Sequence, residues 1–138
     1  MKIIIVDDSK TFLEGMKYYL QKDQRIEIIG EASNGSEFMN LENIHQADII
    51  LMDIQMPEMN GIKAAKRVLW DMNYLKIIAI TMFKEKAYLK ELIEAGFKGC
   101  VFKNEIYEKL PLVIEKVMND NICFPEDIRF EHKESSGI

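Results

Sequence analysis

Ile49-Ile50-Leu51-Met52-Asp53 decides the fold: four apolar residues in a row, then a carboxylate. A run this short and this apolar suits a strand of a parallel sheet, buried on both faces. Residues 3–6, 26–32, 77–80 and 100–102 form four comparable runs. Glu27 and Glu31 interrupt the run over 26–32, as an edge strand would allow. Longer amphipathic stretches separate the runs. Phe12, Met16, Tyr19 and Leu20 recur at helical spacing, with Ser9 as a candidate N-cap. A second helix is expected over 36–44. A third should follow Gly61 through Ile62, Ala65, Val68, Leu69 and Met72. A fourth, over 84–95, should stop at Gly96, and a fifth should run over 107–119 with Pro111 in its first turn. Strand and helix thus alternate five times, which implies an α/β fold with a parallel sheet covered on both faces.

Composition agrees with one folded domain and narrows the chemistry. The 138 residues are 48% hydrophobic and 30% charged, with both signs interspersed. A net charge of −5 argues against direct nucleic-acid contact, which needs a basic face. Cys100 and Cys123 form no CxxC pair, so neither a zinc site nor a disulfide scaffold is expected, and a reducing compartment fits. His45 and His132 lie in polar surroundings and are expected to be solvated. No apolar run reaches the length of a membrane span, and the first strand turns acidic at Asp7 too early for a signal peptide. The expected location is the cytoplasm, with no membrane contact.

In an open α/β sheet, ligands bind beyond the carboxyl ends of the strands. The first run ends in Asp7-Asp8, the third in Asp53, the fourth in Thr81 and the fifth in Lys103. Each residue alone has an ordinary explanation as a cap, a strand residue or a surface charge. Together they place three carboxylates, one hydroxyl and one ammonium at one edge. Clustered carboxylates repel one another, and a cation among them relieves this. All-oxygen ligands completed by water suit Mg²⁺. A carboxylate can also act as nucleophile and become an aspartyl-phosphate. Lys103 and Thr81 would then neutralise and hydrogen-bond phosphoryl oxygens.

Asp7-Asp8-Ser9, Leu51-Met52-Asp53-Ile54-Gln55-Met56-Pro57-Glu58-Met59-Asn60-Gly61, Ile80-Thr81 and Phe102-Lys103 together resemble the receiver domain of bacterial two-component response regulators. The resemblance covers about residues 1–120 and leaves 121–138 as a C-terminal tail or truncated linker. It implies a five-stranded, doubly wound (βα)5 flavodoxin-like sheet. It implies Asp53 as phosphoacceptor, Mg²⁺ held by Asp8, Asp53 and the Gln55 carbonyl with Asp7 assisting through water, and Thr81 and Lys103 on the phosphoryl group. Pro57 and Gly61 should shape the loop, Gly61 by a backbone angle other residues resist. Such a domain is not an enzyme in the ordinary sense, though it assists its own phosphorylation and dephosphorylation. Its implied partners are a sensor histidine kinase and an output domain or effector, with homodimerisation on phosphorylation an open alternative. The partner face would lie around 84–95 and 107–118, where Tyr88 and Tyr107 are candidate contacts.

Two positions depart from that family's usual pattern. Cys100 stands where an aromatic residue commonly precedes the lysine by three positions, and a thiol is too small to gate the site. Phe83 or Phe102 would be the substitutes, although Phe102 is expected to point away from Cys100's neighbourhood. Asn104 stands where proline often follows the lysine, as in some receivers joined to helix-turn-helix DNA-binding domains. Residues 96–99 and 121–128 are similar to that subfamily. Three rivals are a strand-end-aspartate phosphatase, an interaction module not phosphorylated in use, and a flavodoxin-like cofactor binder. Adjacent rather than spaced aspartates disfavour the first, the complete set of acceptor residues the second, and the lack of a Gly-rich phosphate loop the third.

Overall fold

A computed structural model describes residues 1–56, 59–82 and 86–125, apart from the side chains of Lys86 and Ala87. Strands β1 (Lys2–Val6), β2 (Glu27–Ala32), β3 (Ile49–Asp53), β4 (Ile77–Thr81) and β5 (Gly99–Phe102) form one parallel sheet in the order β2-β1-β3-β4-β5. Helices α1 (Lys10–Leu20), α2 (Gly35–Met39), α3 (Gly61–Asp71), α4 (Lys86–Ala95) and α5 (Ile106–Met118) connect and cover it. The α/β fold, its parallel sheet and its double winding are as the alternation implies.

Strand side chains alternate between faces, and the core divides accordingly. Ile3, Ile5, Ile49, Leu51, Ile78, Ile80 and Val101 pack with Leu13 and Met16 of α1 and Leu110, Val113 and Val117 of α5. Ile4, Val6, Ile50, Met52, Ala79, Cys100 and Phe102 pack with Phe38 of α2, Ala65 and Val68 of α3, and Leu89 and Leu92 of α4. Burying each large aliphatic side chain contributes about 1.5–3 kcal/mol, so both faces must be covered for the central strands to stay apolar throughout. Strand β2 is half-exposed along most of its length, the behaviour expected of an edge.

Four details differ from the sequence reading. The second helix ends at Met39 instead of reaching 44, and a separate 3₁₀ turn spans Ile44–Gln46. Asn40 caps α2, while the Asn43 amide donates to the Ile29 carbonyl at 2.9 Å. Side chains of this type compete with helical bonding. Pro111 lies in the second turn of α5, since a 3₁₀ turn over Lys103–Glu105 leads into a helix that begins at Ile106. The missing proline N–H would have paired with the Tyr107 carbonyl; Tyr19 of α1 donates its hydroxyl to that oxygen instead, at 3.0 Å. The two rings meet edge to face with centroids 4.7 Å apart.

The stretch after α5, expected as a tail or linker, begins in contact with the domain. Cys123 bridges to Gly99 beside β5, its N–H donating to the Lys98 carbonyl and its carbonyl accepting from Cys100. Cys123 is buried on one face of the sheet and Phe124 on the other. The segment thereby covers a sheet edge that would otherwise present unpaired backbone groups. Lastly, Gly61 does not adopt a positive φ; among the described glycines only Gly96 does, at 102°. Gly61 is required by close approach, because a Cβ there would collide with the Asp53 carbonyl oxygen and crowd Met52 and Ile54. Its N–H closes the loop onto the Ile54 carbonyl at 2.9 Å.

Candidate functional site

The chain reverses its strand order between β1 and β3, and a crevice opens at such a switch point. Strand β1 delivers Asp7 and Asp8 there, and β3 delivers Asp53. One carboxylate oxygen from each of the three lies within 4.8 Å of the others. Asp7 and Asp53 are buried, whereas Asp8 is exposed and gives the cluster a solvent face. Thr81 ends β4, fully buried and in register with Phe102. Lys103 follows β5 directly, and its ammonium reaches back over the sheet edge. Nζ lies 2.9 Å from Asp7 Oδ2 and 3.7 Å from Asp53 Oδ2. All five residues singled out in the sequence thus lie at one edge of the sheet.

Backbone donors fix the acids further. The Ser9 N–H donates to Asp7 Oδ1 at 2.8 Å, and the Gln55 N–H to Asp53 Oδ1 at 3.3 Å. Gln55 is exposed and held against the cluster by that bond. Among the described residues Asp7 Oδ2 is buried without a hydrogen bond, and the Lys103 ammonium lies 2.9 Å from it. Burial and the adjacent Asp7 charge push the Asp53 carboxyl up to about 7, against the opposing pull of Lys103 and the Gln55 N–H. A bond to Asp8 adds to the rise. The cluster is therefore short of positive charge.

Several placements were not legible beforehand. Phe12 packs partly buried against the core, as its helical spacing implies, and its ring also lies under the Lys103 ammonium, 4.4 Å from centroid to Nζ. Asn60 caps α3 by accepting from the Lys63 N–H at 2.9 Å; an asparagine immediately before a helical run was the available signal. Phe102 shares its face of the sheet with Cys100, contrary to expectation, because residues two apart in a strand point the same way. Cys100 is buried, and burial pushes its thiol up to about 12. Tyr88 of α4 packs half-buried against the hydrophobic core on that same face, with its phenol pKa raised by burial and by the charges of Glu91 and Asp53. Tyr107 stands half-exposed beside Tyr19. Among the described residues His45 is exposed; His132, Pro57, Phe83 and Lys84 lie outside them. No helix among the described residues is long and apolar enough to cross a membrane.

The comparisons with known proteins converge. A family model described as the response regulator receiver domain matches residues 3–115. The chain is 35% identical over 127 residues to the transcriptional regulatory protein YdfI of Bacillus subtilis, covering 92% of this chain and 59% of that protein. It is 32% identical over 128 residues to the transcriptional regulatory protein DesR of the same organism, covering 93% and 63%. The chain therefore spans about three fifths of the length of these relatives. Among solved structures it superposes with a TM-score of 0.87 on a LuxR-family two-component response regulator from Aurantimonas, at 26% identity and covering 99% and 98%. It also superposes with a TM-score of 0.81 on the isolated REC domain of RcsB from Salmonella enterica with phosphomimetic BeF3⁻, at 25% identity and covering 94% and 96%.

Proposed function

This chain belongs to the response regulator receiver family, and we propose that it is a phosphorylation-dependent switch whose acceptor is Asp53. The observation that carries the reading is the meeting of the buried Asp53 with a lysine and two further carboxylates at the strand-order switch. The cluster suits a hard divalent cation: its donors are all oxygen, and its three carboxylates outnumber the one lysine that pairs with them among the described residues. Asp7, Asp8, Asp53 and the Gln55 carbonyl would hold Mg²⁺, with Asp7 acting through water. When bound, the ion supplies charge neutralisation for the carboxylates and for one phosphoryl oxygen.

A carboxylate oxygen of Asp53 attacks the phosphorus of a phosphohistidine on a partner sensor kinase. The new O–P bond forms as the N–P bond breaks, and the electron pair leaves on the imidazole. Burial of Asp53 keeps competing water scarce, and the Gln55 N–H holds one oxygen while the other is presented to the donor. The modification adds charge at a site already short of cations. Lys103 answers by pairing with the phosphoryl oxygens, and Thr81 donates its hydroxyl to another. Strand β5, α4 and α5 flank these two residues and present the altered surface to an output domain or effector. The domain serves as phosphoacceptor, assisting its own phosphorylation and dephosphorylation, and does not itself contact nucleic acid.

Residues 1–120 form the receiver on this reading, and 121–138 form a C-terminal tail or truncated linker. YdfI and DesR are transcriptional regulatory proteins longer than this chain, which supports transcription control as the output and the cytoplasm as the location. One solved relative is described as two RcsB dimers bound to two parallel DNAs, which supports homodimerisation; that phosphorylation drives it is part of the proposal. The test is incubation of the chain with Mg²⁺ and acetyl phosphate, read by intact mass. A gain of one phosphoryl group is expected, lost in Asp53→Asn; its persistence in that variant sinks the assignment. Turnover of a phosphomonoester would favour the phosphatase rival.

A further inference from the structure

The contacts around Lys103 close on themselves. The Ser9 N–H donates to Asp7 Oδ1 at 2.8 Å, and Ser9 Oγ accepts from the Phe12 N–H at 3.2 Å as the cap of α1. The Phe12 ring lies 4.4 Å from Lys103 Nζ, and Nζ lies 2.9 Å from Asp7 Oδ2. Asp7, Ser9, Phe12 and Lys103 therefore form one closed circuit, with the aromatic ring as its apolar member. The lysine side chain retains 18% of its accessible surface, so the seat is partly shielded from solvent.

We infer that Phe12 is a positioning residue for phosphoryl transfer, seating the Lys103 ammonium so that its donors stay available to the incoming phosphoryl group. The chemistry of the seat supports this. A lysine ends in a compact charge on a flexible four-carbon stem, and nothing intrinsic to it fixes where the charge rests. A carboxylate such as Asp7, 2.9 Å away, fixes it only by engaging its N–H groups. An aromatic face attracts the cation through its quadrupole and accepts no conventional hydrogen bond. The ammonium can then exchange Asp7 for a phosphoryl oxygen without leaving the ring. Ser9 sets the ring's position through the first turn of α1, and the same serine is anchored to Asp7. The seat is thus built into the acidic cluster and not borrowed from a mobile surface.

The inference rests on Asp53 being the acceptor, and the experiment separates the two. Phosphorylation of the 138-residue chain by acetyl phosphate with Mg²⁺ is followed as a rate by intact mass, for wild type, Phe12→Leu, Phe12→Met, Phe12→Tyr and Lys103→Gln. Thermal unfolding reports on each fold. Phe12→Leu and Phe12→Met are expected to lower the rate by about 3- to 30-fold, the size of a partly desolvated cation–π contact. Phe12→Tyr, which retains a ring, restores it. In a Lys103→Gln background, Phe12→Leu should cost nothing further, because the seat then has nothing to hold. Equal rates for Phe12→Leu and wild type overturn the inference, as does an undiminished loss in the Lys103→Gln background. Absence of phosphorylation in wild type would overturn the acceptor assignment instead.

Discussion

Replacing Asp53 with asparagine should make the metal-free protein more stable, and the size of the effect follows from the site. The Asp53 carboxyl titrates near 7 in the fold, against an ordinary value of 3.8. At pH 8 both folded and unfolded chains carry the charge, and the folded state bears the full cost of holding it beside Asp7 in a desolvated crevice. Each pH unit between the two values corresponds to about 1.4 kcal/mol, so the upper bound is about 4 kcal/mol. Asparagine keeps the acceptor for the Gln55 N–H but loses the attraction of Lys103 at 3.7 Å. The net gain should therefore fall between about 1 and 4 kcal/mol, or roughly 3–12 °C in Tm for a domain of this size.

The pH dependence gives the sharper check. A carboxyl whose folded pKa is raised binds its proton more tightly in the native state. Below about pH 3.8 both states are protonated and the penalty vanishes. It grows as pH rises toward about 7 and is constant above that value. Thermal unfolding of wild type and Asp53→Asn, in chelator, from pH 5 to pH 8 reads this directly. The difference in stability should at least halve between pH 8 and pH 5. A variant no more stable than wild type at pH 8, or a difference unchanged over that range, would refute the reasoning that burial and Asp7 together destabilise the Asp53 anion.

Three further outcomes are expected. Added Mg²⁺ should stabilise the wild type by about 2–3 kcal/mol at a hundredfold excess over its Kd, read as a Tm rise that Asp8→Asn greatly diminishes. Gly61→Ala should destabilise the fold by about 1–3 kcal/mol in urea, because the added Cβ meets the Asp53 carbonyl and the loop must shift. Tyr19→Phe should cost about 0.5–1.5 kcal/mol by leaving the Tyr107 carbonyl without its donor. That cost should shrink in a Pro111→Ala background, where the helix regains its own N–H; an unchanged cost there would show that the hydroxyl is not compensating for the proline.

Much of the fold and the site were legible in the chain because their determinants are local or chemically narrow. An apolar run such as 49–52 has few alternatives to a buried parallel strand, and Asp7, Asp8, Asp53, Thr81 and Lys103 stand at strand ends that the sheet brings together. Anything that must meet a cation or a phosphoryl group is limited to a few residue types, so on the proposed reading those positions announce themselves. Phe12 did not, since a phenylalanine on an amphipathic helix serves equally well as core. Its second partner, Lys103, is 91 residues away in the chain. The exchange between Pro111 and Tyr19 was hidden for the same reason: a proline reveals a missing donor, but not which distant side chain replaces it. Gly61 announced that a side chain was forbidden without saying why, because a positive φ and a backbone contact exclude Cβ alike. Residues answering to a ligand are constrained by type and can be read one at a time. Residues answering to each other are constrained only as pairs, and a pair becomes visible when the fold has set its members side by side.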